Sequence, residues 1–136
     1  MKRQIKFRGK RNNGQWVYGG LCRRWNDKPC IVAYNPEERD DDPGSYEDNW
    51  DIYVDVYEDT IGQFTGSHDK NGTEIYEGDI ILCKDKYIYS IEWTLDGFYM
   101  INKRSGGVTS IKSFHPNQLE IIGNIHDTPS LISDKQ

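Results

Sequence analysis

The side chains best suited to acid–base, nucleophilic or metal chemistry in this chain are three histidines, three cysteines and a scatter of carboxylates. Nucleophilic catalysis needs a Ser, Cys or Thr beside a positioned base. His68, His115 and His126 instead stand in or beside turn-forming residues, with no nucleophile motif such as G-x-S-x-G nearby. Cys22, Cys30 and Cys83 are odd in number and lack both a C-x-x-C pair and a histidine at zinc spacing, so they read as reduced and semi-buried thiols. Among the carboxylates Glu74, Glu77, Asp79 and Glu92, the pair Glu77 and Asp79 lies two apart at the start of a strand. Both would point to one face if extended, the arrangement a metal-dependent hydrolase could use. The same pair reads equally well as a turn residue and its cap, because short acidic side chains bond nearby backbone amides. No glycine loop opens onto a helix to cradle phosphate. No catalytic, cofactor-binding or metal-ligating residue is therefore assigned, and no cofactor is expected.

A second constellation is electrostatic. The first 24 residues hold Lys2, Arg3, Lys6, Arg8, Lys10, Arg11, Arg23 and Arg24 and no acid, although the whole chain carries −5. Lys6, Arg8, Lys10 and Arg11 interleave with Phe7, and Arg23 and Arg24 precede Trp25. Cations beside aromatic rings are what a single-strand nucleic-acid groove uses. A pI near 5.1 opposes affinity for polyanions, and no helix-turn-helix or RNP pattern accompanies the cluster. The competing reading is a basic strand that meets acidic surface of its own chain or of another subunit. Residues Lys6, Arg8, Lys10, Arg11, Arg23, Arg24 and Trp25 are thus the candidate contact set, for nucleic acid or for a subunit.

Almost everything that must position these groups reads as β-structure. The stretch DIYVDVY (51–57) alternates apolar and polar residues with the period of a half-buried strand. Further strands are expected at 5–8, 15–22, 29–34, 61–65, 74–76, 80–84, 87–95, 98–103, 108–114 and 119–125, with a short turn or one 3₁₀ turn at 115–118. Gly-rich turns separate them, and Asn71-Gly72 is a strong hairpin signal. Short strands at spacings of about ten argue for a small barrel or an orthogonal meander. Residues 35–49 break the pattern with two prolines, a glycine and seven acids. They read as a solvated loop, with a Ca²⁺ site as the sharper alternative that lacks EF-hand spacing.

A chain of 136 residues supports one domain or two very small ones. The expected division is a smaller N-terminal β-layer over 1–60, including the acidic loop, and a barrel over 61–136. Seventeen aromatic residues supply buried area and polar edges for docking. Mean hydropathy of −0.83, no 18-residue apolar run and no signal-peptide pattern lead us to expect a soluble, cytoplasmic protein.

Three segments also resemble a known family. TIGQFTG (60–66), DKNG (69–72) and EIYEGDI (74–80) are similar to the central signature of the YopX proteins of phages and prophages. IKFRGK (5–10) with Trp16-Val17-Tyr18-Gly19 resembles the family's opening, and LEIIGNIHDTP (119–129) its close. Ser67 departs from the pattern, standing where Leu is usual. The resemblance implies an SH3-like C-terminal barrel, self-association, and a place inside a bacterial host cell. It supplies no catalytic residues. The expectation is a non-enzymatic, protein-binding phage accessory module that forms a homo-oligomer or takes a host or phage protein as partner. Nucleic-acid binding on the basic N-terminal face is the alternative, and a hydrolase using Glu77 and Asp79 the third reading.

Overall fold

Alternating apolar residues and glycine turns fold into eleven short strands: β1 (Phe7–Lys10), β2 (Trp16–Arg23), β3 (Pro29–Ala33), β4 (Tyr53–Asp55), β5 (Gly62–His68), β6 (Glu74–Tyr76), β7 (Asp79–Cys83), β8 (Tyr87–Thr94), β9 (Gly97–Ile101), β10 (Val108–Ser110) and β11 (Leu119–Asn124). The structure is a computed structural model, and it describes residues 5–23, 27–33, 53–94 and 96–132. The acidic loop at 35–49, with its Ca²⁺ alternative, lies outside them. More than half of the described residues are in strands, and none is in an α-helix. Among the described residues all pairing is antiparallel, in two sheets of order β4-β3-β2-β1-β5-β6 and β10-β9-β8-β7-β11. The backbone divides into two compact units between Gln63 and Phe64, inside β5.

In the N-terminal unit, 5–63, β1, β2 and β3 form a meander with β4 on its outer side. Cys30 and Ile31 are adjacent, point to opposite faces and are both fully buried, so β3 is covered on both sides. Phe7 and Arg8 of β1 pair with Gln63 and Gly62. The segment after β4 then crosses β1. Tyr57 donates its amide to the Lys10 carbonyl, and the Thr60 hydroxyl accepts from the Lys10 amide at 2.8 Å. A Cβ on Gly9 would lie 2.7 Å from a Val56 methyl, so this crossing requires glycine at position 9.

In the C-terminal unit, β8, β9 and β10 form the meander expected from the sequence, and β7 pairs with β8 on one side and β11 on the other. Its core gathers Ile75, Ile81, Cys83, Ile91, Met100, Ile111 and Leu119, with Tyr89, Phe98, Phe114 and Ile121 packed around them. Burying one such aliphatic side chain contributes about 1.5–3 kcal/mol. Ile80 and Ile81, consecutive and both 0% exposed, make β7 the strand buried on both faces.

The structure corrects the sequence reading at two places, and the fold it shows is mainly β with no closed sheet: among the described residues no pairing joins β10 to β11. The expected strand at 108–114 stops at Ser110, whose hydroxyl accepts from the Lys112 amide and starts a 3₁₀ turn over Ile111–Ser113. That turn carries Ile111 into the core. His68, expected in a turn, is the last residue of β5 and pairs with Glu74. β5 reaches it through Gly66, whose φ of +88° gives the pairing with β6 its irregular step between Phe64 and His68.

Candidate interaction surface

The glycine-punctuated centre buries three polar side chains, Thr60, Asp69 and Asp79, at 7%, 3% and 2% exposure. Buried polar groups must be bonded. Each of these three is bonded to backbone. Thr60 donates to the Tyr57 carbonyl at 2.6 Å while accepting from Lys10. Asp69 accepts from the amides of Asn71 and Thr73 at 2.9 Å each through one oxygen and from Ile121 at 3.1 Å through the other. It therefore shapes the Asp-Lys-Asn-Gly turn and ties it to β11. The Asp79 carboxylate accepts from the Tyr76 amide at 2.7 Å and closes the Glu77-Gly78 turn. Gly78, at φ +94°, donates to the Ile91 carbonyl and accepts from the Ile125 amide.

This bonding bears on the hydrolase reading, since Asp79 is a buried turn cap. Among the described residues no group of three or more His, Cys, Asp or Glu side chains is arranged to hold a metal. His68 and His115 serve local structure. His115 caps the turn over Pro116–Gln118 by accepting from the Asn117 amide. His68 packs edge-on against Phe64 at 5.6 Å, and the His126 amide donates to Asn124. Burial pushes the Cys83 thiol above its ordinary range, although Lys84 beside it acts in the opposite sense.

The basic candidates divide. Register places Arg8 opposite Tyr18 and Lys10 opposite Trp16, and directly opposed residues point to the same face. Arg8 is only 6% exposed, and its guanidinium lies 4.7 Å from the centre of the Trp16 ring. A cation so placed is part of the packing and does not project as a phosphate contact. Lys10 is half-buried on that same face, and Lys6, just before β1, is half-buried as well. Arg11, half-buried, lines a cavity of about 560 Å³ with Asn12 and the 53–57 segment. Arg23 is exposed and pairs with Asp27 at 3.7 Å, reaching the Asp27 carbonyl at 3.2 Å. Arg24 and Trp25 lie outside the described residues.

What sequence reasoning did not single out is the aromatic surface on that sheet face. Val32 is directly opposite both Gly20 and Tyr53, and Tyr18 lies two residues from Gly20. Tyr18, Gly20, Val32 and Tyr53 therefore share one face. Tyr18 and Tyr53 are 47% and 51% exposed, and Gly20 between the strands is exposed as well. The signal was available as the Tyr-Gly-Gly run of β2, but pairing between distant strands was needed to bring Tyr53 beside it. In the C-terminal unit, Trp93 is 53% exposed and stands edge-on to Phe98 across the β8–β9 pair, with ring centres 4.8 Å apart.

Antiparallel sheets with turns clamped by buried polar side chains and aromatic rings left at the surface describe a small β-module. Residues 6–133 match the model of the YopX protein family, and the chain belongs to that family, which is not a known enzyme family. The fold is similar to the crystal structure of protein EF1440 from Enterococcus faecalis, at 21% identity and a TM-score of 0.50, over 97% of this chain and all of that one. No curated protein matches the chain. Among the described residues no helix is long and apolar enough to cross a membrane.

Proposed function

We propose that this protein is a non-enzymatic, phage-encoded accessory module that binds protein and self-associates inside the bacterial host cell. The observation that carries the reading is the shared face of Tyr18, Gly20, Val32 and Tyr53, with both tyrosines about half exposed. Tyrosines offer large rigid area with a polar edge, which is why they dominate protein interfaces. The bonding of Asp79 and Asp69 to backbone supports a non-enzymatic role, since it occupies the carboxylates in architecture. An SH3-like curl of the C-terminal sheet belongs to the same reading. It is supported by the register step between Ile121 and Gly123, since such a step bends a strand.

Sedimentation velocity of the full chain against the double variant Tyr18→Ala, Tyr53→Ala tests the proposal. The parent should sediment as an oligomer and the variant as a monomer with unchanged circular dichroism. A parent that stays monomeric at high micromolar concentration would remove self-association.

Binding of nucleic acid on the same face is the second reading, favoured by the register that sets the half-buried Lys10 opposite Trp16. A gel shift that weakens steeply with salt supports it, because phosphate contacts release counterions. The absence of any shift at low salt rejects it.

A further inference from the structure

We infer that Cys22 and Cys30 form a redox-responsive dithiol site, closing to a reversible cross-strand disulfide. The two cysteines are directly opposite one another in the β2–β3 pairing, between the Leu21–Ile31 and Arg23–Pro29 pairs. Directly opposed residues in antiparallel strands have Cα atoms about 4.5–5.5 Å apart and side chains on the same face. A disulfide spans Cα separations of roughly 4.4–6.8 Å, so the backbone already meets its requirement. Both thiols are free in this structure, and that of Cys22 donates to the Arg23 carbonyl at 3.7 Å.

Their unequal burial sets an order of events. Cys22 is partly exposed, whereas Cys30 is fully buried. A dissolved oxidant therefore meets Cys22 first, and Cys30 is reached through its cross-strand neighbour. With an aliphatic disulfide as oxidant, the Cys22 thiolate attacks one of its sulfurs and expels the first thiolate. The Cys30 thiolate then attacks Cys22 Sγ and expels the second. The protein gives up two electrons and two protons, and the oxidant leaves as two thiols. The loop enclosed by the bridge is short, so chain entropy favours it less than it would a long-range bridge, and thiol–disulfide exchange with a reductant restores the dithiol. Cys83, buried in the other unit with its thiol pKa raised, takes no part. The site stands independently of the protein-binding reading, since it needs only the β2–β3 register.

The full chain is incubated with excess oxidised glutathione, and thiols are counted in denaturant alongside intact mass. The expected result is a fall from three free thiols to one, a mass lower by two hydrogens, and a mapped Cys22–Cys30 peptide. Cys83→Ser should lose both of its remaining thiols, and Cys22→Ser should lose none to an intramolecular bridge. Three surviving thiols, a lasting glutathione adduct on Cys22, or a disulfide-linked dimer would overturn the assignment. The Cys83→Ser arm and the peptide map keep the test decisive even if Cys22→Ser folds poorly.

Discussion

Asp69 and Arg8 are both charged, both nearly inaccessible, and handled by the fold in different ways. Asp69 sits at the turn between β5 and β6 and gives each of its oxygens to backbone amides. Arg8 sits in the middle of β1 and lays its guanidinium over the Trp16 ring. A compact carboxylate satisfies itself on amides that a tight turn leaves unpaired. A long, planar, weakly hydrated guanidinium can instead pack as part of an aromatic layer. The central segment thus spends its polarity on architecture. The β1–β2 face keeps aromatic area at the surface, where a partner can use it.

Substitutions at the two regions should therefore separate folding from association. The largest loss belongs to the central turn. Asp69→Ala strands three amides and should lower unfolding free energy by roughly 3 kcal/mol in urea titration. A cost below about 0.5 kcal/mol would show that the clamp is ornamental. Next comes Gly9→Ala, which drives a methyl into Val56 where the segment after β4 crosses β1. We expect a loss of about 1–3 kcal/mol from overpacking, read from the same titration. On the face itself, Tyr18→Ala should move stability by no more than about 0.5 kcal/mol, as surface changes do. If it unfolds the chain instead, Tyr18 belongs to the packing and the contrast between the regions fails.

The smallest effect is one of pH. The Tyr99 phenol donates to the Asp96 carboxylate at 2.7 Å, and that hydrogen bond, followed by the carboxylate's charge, raises its pKa above the usual value of 10.0. A raised folded-state pKa means that the contribution is complete below the unfolded value and is lost as pH climbs through the folded one. Ultraviolet titration of tyrosinate should therefore show one phenol ionising earlier in Asp96→Asn than in the parent. Superimposable titration curves would mean that the bond does not persist in solution.

The resemblance to YopX proteins was legible because 60–81 is a run of local turn chemistry. Asn71-Gly72 needs glycine at φ +79°, and Asp69 caps amides two and four residues ahead of it. Such contacts span few residues and leave their mark on spacing. The β8–β9–β10 meander was legible for the same reason. The end of β10 was not, because the sequence to Phe114 stays strand-like while the Ser110 hydroxyl turns the backbone and Ile111 enters the core. The candidate contact set was recovered only as a list of charges. Alternation cannot say that Arg8 lies under Trp16, since that depends on which strand lies beside β1.

Period-two patterning, glycines at left-handed turns and short polar caps by themselves determined an all-strand, antiparallel chain with a clamped centre, because these are interactions between near neighbours. Which face of β1–β2 stays accessible, that Tyr53 joins Tyr18, that Cys22 faces Cys30, and that the last sheet stays open among the described residues were decided by strand register. Register is chosen by long-range packing, and a one-residue slip would send every side chain to the opposite face.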